Sequence, residues 1–463
     1  MPKPRRRLIL PVEIFNREFD AKVLLACFAA ERGFSVIIGA KREINLNLAS
    51  FPPSIYLPIN LHNRNQVTTH LLENLGHTLA GMDEEAIVYC SPEVYVKEKL
   101  GTIVFPQPKV FLAWGSENAR IWKSQKNYNG MPVHITGNPR TDLLRPELRP
   151  YWSRSVENIK KQFGNIILIN TNFGKLNNFR PNKGDEKKAL EAATSSPETV
   201  DEQELGMAKH RLALFHQFQK MVGEVGRAFP THSVLIRPHP SENHEVWKQA
   251  GKGCPNVHVH FEGHVTPWLL ASDAIIHNSC TTGLEGYLLN RPVFSFQPVT
   301  SERFDKKLPN SVSQQATSSK ELIDLLERAL SSNTRSPENG SLGKTQLVEQ
   351  YLAFLNGPFA SEQIVATLEN FDDTFLFTTP NLGKISMAKF YAVARKFKRK
   401  FNAQFRMSNL NRSQRHQYLQ HIFPEIDYSA IQDRIARLQH ILRRFSNINV
   451  RSLDKSIFEI SVN

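Results

Sequence analysis

Short apolar runs that stop abruptly at polar turns constrain this chain most, because they read as buried strands feeding helices. Ser233-Val234-Leu235-Ile236 leads into Arg237-Pro238-His239-Pro240-Ser241-Glu242, and Asp273-Ala274-Ile275-Ile276 leads into His277-Asn278-Ser279-Cys280-Thr281-Thr282-Gly283-Leu284-Glu285. Runs this short and this apolar predict strands of a parallel sheet covered on both faces. In an open α/β sheet, ligands collect outside the carboxyl ends of the strands. The two turns therefore place a histidine and a hydroxyl-rich helix start on one rim of one sheet. Free N–H groups, the positive end of the helix dipole and the hydroxyls of Ser279, Thr281 and Thr282 together make an anion site, which suits the phosphate of a nucleotide. The competing reading is a capping box, Thr282-x-x-Glu285, in which these side chains only satisfy backbone donors.

The same rhythm runs through the rest of the chain. A strand over Leu8 to Val12 leads to a helix beginning near Phe19-Asp20, which stops at Gly33 before a strand over Ser35 to Ile38. Further strands are predicted at Ala86 to Tyr89, Lys109 to Ala113 and His134 to Thr136, an alternation that argues for a Rossmann-like domain. Pro146 to Tyr151 reads as its exit. A second α/β domain opens with Asn165 to Asn170, a strand that empties into Thr171-Asn172-Phe173-Gly174-Lys175. Lys183 to Gly206 is polar and reads as a surface excursion. Helical patterns follow at Leu212 to Val222 and Leu322 to Leu330, with strands at Val257 to Phe261 and Pro292 to Phe296. The expected domains are 1–147 and 148–340, followed by a helical, basic extension over 341–463.

At 463 residues, 40% hydrophobic and 22% charged, the chain is long enough for cores of its own in each domain. No apolar run is long enough to span a bilayer. The basic start, Met1 to Arg7, is followed by too short an apolar stretch for an export signal and reads as the first strand. Cys27, Cys90, Cys254 and Cys280 show no paired spacing, which points to a reducing, cytoplasmic setting and away from structural zinc. His258 and His260 share a strand face but lack a third ligand at suitable spacing. No metal site is expected.

The net charge of +14 concentrates near the C-terminal end, in Lys389, Arg395, Lys396, Lys398, Arg399, Lys400, Arg406, Arg412 and Arg415. Phe390, Val393, Phe397, Phe401 and Phe405 recur among them at helical spacing and so line one face. Such a helix can lie on an anionic membrane surface, or its apolar stripe can dock on the protein's own core. No nucleic-acid-binding module accompanies the charge, so nucleic acid is not an expected partner.

Two Rossmann-like domains with phosphate-binding turns in the second resemble the GT-B glycosyltransferases. The His-Pro turn and the Ser/Thr turn are similar to the paired motifs of bacterial sialyl and Kdo transferases that use CMP-activated sugars, and of CDP-glycerol polyol-phosphate transferases. Leu10-Pro11-Val12-Glu13, Arg17 to Lys22 with Ala29 to Gly33, Thr136 to Arg145 and Ile169 to Phe173 resemble a bacterial family of surface carbohydrate biosynthesis proteins, over roughly the first 300 residues.

The resemblance implies roles for particular residues. His239, with Arg237 behind it, would hold the donor phosphate together with Ser279, Thr281, Thr282 and Gly283, making a metal unnecessary. Glu285 would receive the ribose hydroxyls, and Gly263-His264 would form a base-binding turn, with a structural glycine turn as the alternative. Gly137, Asn138, Arg140 and Asn172 would line a cleft, although Asn138-Pro139 also reads as a helix entry. Gly81-Met82-Asp83-Glu84-Glu85-Ala86 resembles the acidic motif of sialyltransferases, with Ala86 where Gly is expected. Asp83 or Glu84 would then be the base that takes the acceptor's proton, or in a retaining enzyme the nucleophile, unless the carboxylates only cap or decorate a loop.

The expected protein is a metal-independent transferase, with no cofactor, peripheral to the inner membrane. It would move a sugar from a nucleotide donor, CMP-linked by preference, to a surface-glycan or lipid-linked acceptor. A CDP-polyol phosphotransferase, a UDP-sugar epimerase and a non-catalytic nucleotide-sugar-binding scaffold are the alternatives.

Overall fold

The computed structural model describes residues 6–62, 66–100, 108–179, 184–195, 201–331, 342–377, 380–405 and 422–462. The chain divides into two compact units. The first comprises Met1–Ile87, Pro92–Tyr151 and Val348–Asn463, and the second Val88–Ser91 and Trp152–Leu347.

In the first unit six strands run parallel: β1 (Arg7–Val12), β2 (Ser35–Ala40), β3 (Ile55–Tyr56), β4 (Thr78–Gly81), β5 (Val110–Ala113) and β6 (Val133–Ile135). A C-terminal hairpin of β13 (Ile448–Asp454) and β14 (Ile457–Val462) adds antiparallel to β2, giving the order β13-β14-β2-β1-β3-β4-β5-β6. The segment expected as a helical extension thus also supplies two strands to the first sheet. Its helices Ala360–Glu369 and Tyr428–Leu442 pack on the helix Phe15–Glu31. That cover explains why the Phe15–Glu31 helix is buried almost all round, with Phe19, Val23, Leu24 and Cys27 fully enclosed.

Two expectations fail here. The strand predicted at Ala86 to Tyr89 is a turn, and the sheet uses Thr78–Gly81 instead. The helix predicted from Phe19-Asp20 begins at Phe15.

The second unit is a six-stranded, all-parallel sheet: β7 (Ile166–Asn170), β8 (Ser233–Arg237), β9 (Val257–Val259), β10 (Ala274–His277), β11 (Val293–Phe296) and β12 (Gln314–Ala316). Its order, β12-β11-β10-β7-β8-β9, is that of a doubly wound dinucleotide-binding fold, with the direction of winding reversing between β7 and β10. The core gathers Phe173, Phe218, Trp247, Phe294 and Phe296 between this sheet and its helices. Each such aromatic contributes about 2–3 kcal/mol by leaving water. The polar stretch read as a surface excursion holds the helix Asp185–Ser195, and a second helix, Glu202–Ala228, begins within it, capped by Asp201; residues 183 and 196–200 lie outside the described residues.

Candidate functional site

The carboxyl ends of β8, β7 and β10 lie side by side, with Asn170 in register with Arg237 on one side and His277 on the other. The two turns read from the sequence therefore leave strands separated only by β7, about 10 Å apart at the usual strand spacing. They also leave at the switch in winding, where a doubly wound sheet opens a crevice.

Glu242 organises the His-Pro turn. It is buried, and its carboxylate accepts from the backbone N–H groups of His239 and Phe173 (both 3.0 Å), the Thr171 hydroxyl (3.0 Å) and the Trp247 indole (2.9 Å). Burial pushes its pKa up. The loop after β7 and the loop after β8 are thereby tied to one carboxylate. Sequence reasoning quoted Glu242 and gave it no role; the signal it carries is an acid three residues after the histidine, at the reach of a turn-closing acceptor.

The imidazole of His239 is oriented by the same turn. Its Nδ1 accepts from the backbone N–H of Ser241 (3.2 Å) and lies 2.8 Å from the Ser241 hydroxyl. An Nδ1 that accepts leaves the proton of the neutral ring on Nε2, which makes that nitrogen a donor suited to an anion. Gly174, on the loop after β7, lies against this pair: a Cβ there would fall 2.0 Å from Ser241 Oγ.

After β10 the chain turns through Ser279, whose φ of 57° is left-handed and costs a residue with a side chain about 1–2 kcal/mol. The helix Thr281–Leu288 follows with Cys280 at its N-cap and no side-chain capping bond. The capping box Thr282-x-x-Glu285 is therefore not formed, since Thr282 already lies inside the helix. Thr282 Oγ1 is 2.6 Å from Cys280 Sγ. Gly283 lets the helix sit on His277, because a Cβ there would fall 2.4 Å from Nε2 of that ring. His277 is fully buried, with Nε2 2.8 Å from the Ser313 hydroxyl, and burial lowers its pKa to about 3.

Three polar atoms here are buried without a hydrogen-bond partner: Asn170 Nδ2, His277 Nδ1 and Asn278 Oδ1. Each unmet bond costs about 1–3 kcal/mol. They gather at the strand ends, next to the left-handed Ser279 and a helix start without a side-chain cap.

Arg237, Gly263 and His264 make structural contacts. Arg237 is buried and spends its guanidinium on the carbonyls of Glu262 (2.8 Å) and Gly263, over the Trp268 ring; burial lowers its pKa to about 9. It fastens the 262–263 turn to β8 rather than backing a phosphate. His264 caps the helix Val265–Ala271, accepting from Thr266 N–H at 3.1 Å, and stacks on Trp152 at 4.5 Å. With Gly263 it makes the contacts of a structural turn. Glu285 is half-buried on the second turn of its helix, and Asn172 is half-buried between Thr171 and Phe173.

In the first unit the acidic motif follows β4. Asp83 is fully buried, with Oδ1 accepting from Glu85 N–H (2.9 Å) and Oδ2 from the Tyr95 hydroxyl (3.0 Å); burial raises its pKa to about 6. Glu84 is also buried, 3.6 Å from the Lys22 ammonium, and accepts from Asn138 Nδ2 at 3.3 Å. Lys22 is itself enclosed, donating to the Pro11 carbonyl at 2.6 Å and pairing with Glu18 at 3.6 Å. Glu85 is held by Arg17 (2.9 Å) and Lys99.

Of the residues expected to line a cleft in this unit, Gly137 and Asn138 are buried and Arg140 is half-buried. Asn138 is buried as the N-cap of the helix Pro139–Asp142, the helix-entry reading, and Gly137 lies beneath Ala353 and Ala360. Arg140 donates to the Glu84 carbonyl at 3.2 Å. Asp142 accepts from the N–H groups of Ala360 (2.8 Å) and Ser361 (2.9 Å), so this stretch anchors the returning C-terminal segment. Among the described residues no cluster of three or more His, Cys, Asp and Glu side chains is placed to hold a metal ion.

A scan against protein-family models finds no match, and a search of curated proteins finds none either. Solved structures do resemble the chain in fold. The UDP-GlcNAc 2-epimerase of Methanocaldococcus jannaschii, in complex with UDP-GlcNAc and UDP, is 12% identical at a TM-score of 0.47, covering 80% of this chain and 100% of that one. The S. aureus MnaA–UDP structure is 13% identical at 0.47, covering 79% and 96%. The wall teichoic acid polymerase TagF is 10% identical at 0.48, covering 79% and 89%. Two Rossmann-like units in one chain, the composition expected of a GT-B protein, stand on the strand orders of this structure itself.

Proposed function

We propose that the second unit binds the phosphate of a nucleotide-activated donor at the carboxyl ends of β7, β8 and β10, and that the protein is a nucleotide-sugar-dependent glycosyltransferase. The supporting observation is that the His-Pro turn, which fixes the His239 ring through Nδ1, and the start of the helix Thr281–Leu288, which has no side-chain cap, leave strands on either side of β7, with the orphaned polar atoms of Asn170, His277 and Asn278 at the same strand ends. A leaving nucleotide phosphate gains negative charge as its bond to the sugar breaks. Preorganised N–H donors aimed at that charge lower the barrier, and no metal is required in this reading. The acceptor oxygen forms the new bond to the anomeric carbon as the bond to phosphate breaks, and gives its proton to a carboxylate base, the role that the sequence resemblance assigns to Asp83 or Glu84. The acceptor class, a surface glycan or a lipid-linked glycan, and the preference for CMP over UDP or CDP carriers belong to this proposal.

A thermal-shift series with CMP, CDP, UMP, UDP and GDP tests it. One nucleotide should raise the melting temperature, by an amount corresponding to about 2.7 kcal/mol at a hundredfold excess over its Kd. His239→Ala should lose the shift while folding normally. No shift with any nucleotide, or a shift untouched by His239→Ala, would refute the assignment; binding without release of nucleotide from donor sugars would make the protein a scaffold.

A further inference from the structure

We infer that the helix Leu382–Phe405 seats the protein on an anionic lipid surface through an exposed aromatic stripe. The sequence left two places for that stripe, the protein's own core or a membrane, and the structure decides which side of the helix faces inward. Ala388 and Ala392 are the residues buried against Leu48, Leu71, Leu72 and Leu75 of the first unit. Lys396 is pinned on the same side by its bond to Asn47 at 2.7 Å. Small residues therefore make the intramolecular contact.

The opposite face is apolar and faces water: Phe390 is 76% exposed, Val393 66%, Phe397 71% and Met387 70%. Phe401, one turn further, continues the line at 46%. At 100° per residue Met387, Phe390, Val393, Phe397 and Phe401 fall within a single stripe. Soluble proteins rarely expose a contiguous stripe of this kind without a partner for it.

Charge selects the partner. Exposed Lys384, Lys389 and Lys398 flank the stripe, and the helix carries no Asp or Glu along its whole length. The stripe itself presents rings and methyl groups, with no directional donor or acceptor by which a protein surface would be recognised. Aromatic side chains at the level of the headgroups with lysines along both edges match an anionic leaflet, with the helix lying in its plane. Among the described residues no helix is long and apolar enough to cross a membrane, so attachment through this helix would be lateral.

Flotation of the full chain with vesicles tests the inference without reference to nucleotide binding. The protein should rise with phosphatidylcholine vesicles containing phosphatidylglycerol and remain behind with phosphatidylcholine alone. Phe390→Ser with Phe397→Ser should lower partitioning by about tenfold or more, and the melting temperature should not move because both rings are exposed. Lys389→Glu with Lys398→Glu should cost about fivefold or more per residue. Failure to float with anionic vesicles, or equal flotation of the double serine variant, would overturn the inference. So would a dimer in gel filtration that the serine variant dissociates, since the stripe would then belong to a second copy.

Discussion

Gly174 and Ser241 occupy space that no side chain at 174 could share: a Cβ would stand 2.0 Å from the serine Oγ and 3.5 Å from Nδ1 of His239. The backbone of the loop after β7 thus packs directly on the serine and histidine side chains of the His-Pro turn. Gly174→Ala should displace Ser241 and destabilise the second unit by about 1–3 kcal/mol, the usual cost of overpacking. Because the clash is with the hydroxyl, Gly174→Ala combined with Ser241→Ala should recover most of the melting temperature. A double variant no more stable than the single one would show that the contact is misplaced.

Ser279 separates strain from binding. Its left-handed backbone is comfortable only for glycine, so Ser279→Gly should leave the protein as stable or raise stability by about 1 kcal/mol, the offset being the freer unfolded chain. The same change removes a hydroxyl proposed to meet phosphate and should weaken nucleotide binding by about tenfold. Calorimetric titration beside a melting curve reads both quantities. A variant that binds as tightly as the parent would remove Ser279 from the site.

Parallel strands buried on both faces announce themselves, which is why β1, β7, β8, β10 and β11 stand close to where the apolar runs place them. The two-residue β3 and the three-residue β12 offer no pattern to read, and Thr78–Gly81 lacks the β-branched apolar residues, Ile87 and Val88, that Ala86 to Tyr89 falsely supplied. The hairpin β13–β14 is invisible for another reason. Its place in the first sheet is set by Ile457 to Ile460 pairing with β2 more than 400 residues earlier, a relation no local periodicity carries. The His-Pro and Ser/Thr turns were legible because strand ends fix where a turn must lie. The partners of Arg237 and Gly137 were not, since each is met by a loop or segment distant in sequence, whereas Asn138 makes the local cap that its place before Pro139 allows.

Acid sensitivity should trace in part to His277. Its imidazole is buried and neutral, with a pKa lowered to about 3 against an ordinary 6.5. The unfolded chain therefore takes up a proton in that interval while the native ring does not. Stability from this group is fully present above about pH 6.5 and is lost as the pH falls towards 3. Melting temperatures of the parent should drop through this range, and His277→Asn should flatten the slope. Residual slope in the variant belongs partly to His77, buried with a pKa lowered to about 4. An unchanged slope would mean that His277 is protonated in the native protein.

Asp83 offers the cleanest separation of a base from a structural carboxylate. Its pKa of about 6, raised by burial from 3.8, means that the protonated form is the one the fold favours. Its contribution to stability is complete below about pH 3.8 and disappears as the pH rises through 6. Removing the charge with Asp83→Asn should then stabilise the protein at pH 8, by up to about 3 kcal/mol, and change little at pH 4. The amide oxygen can still accept from the Glu85 N–H, and the Tyr95 hydroxyl, which can accept as well as donate, can take a bond from the amide NH2. If Asp83 takes the acceptor's proton, the same variant should lose about a hundredfold or more in turnover despite its greater stability. Retained turnover with a raised melting temperature at pH 8 would assign the carboxylate to the turn alone and require the base to be sought elsewhere.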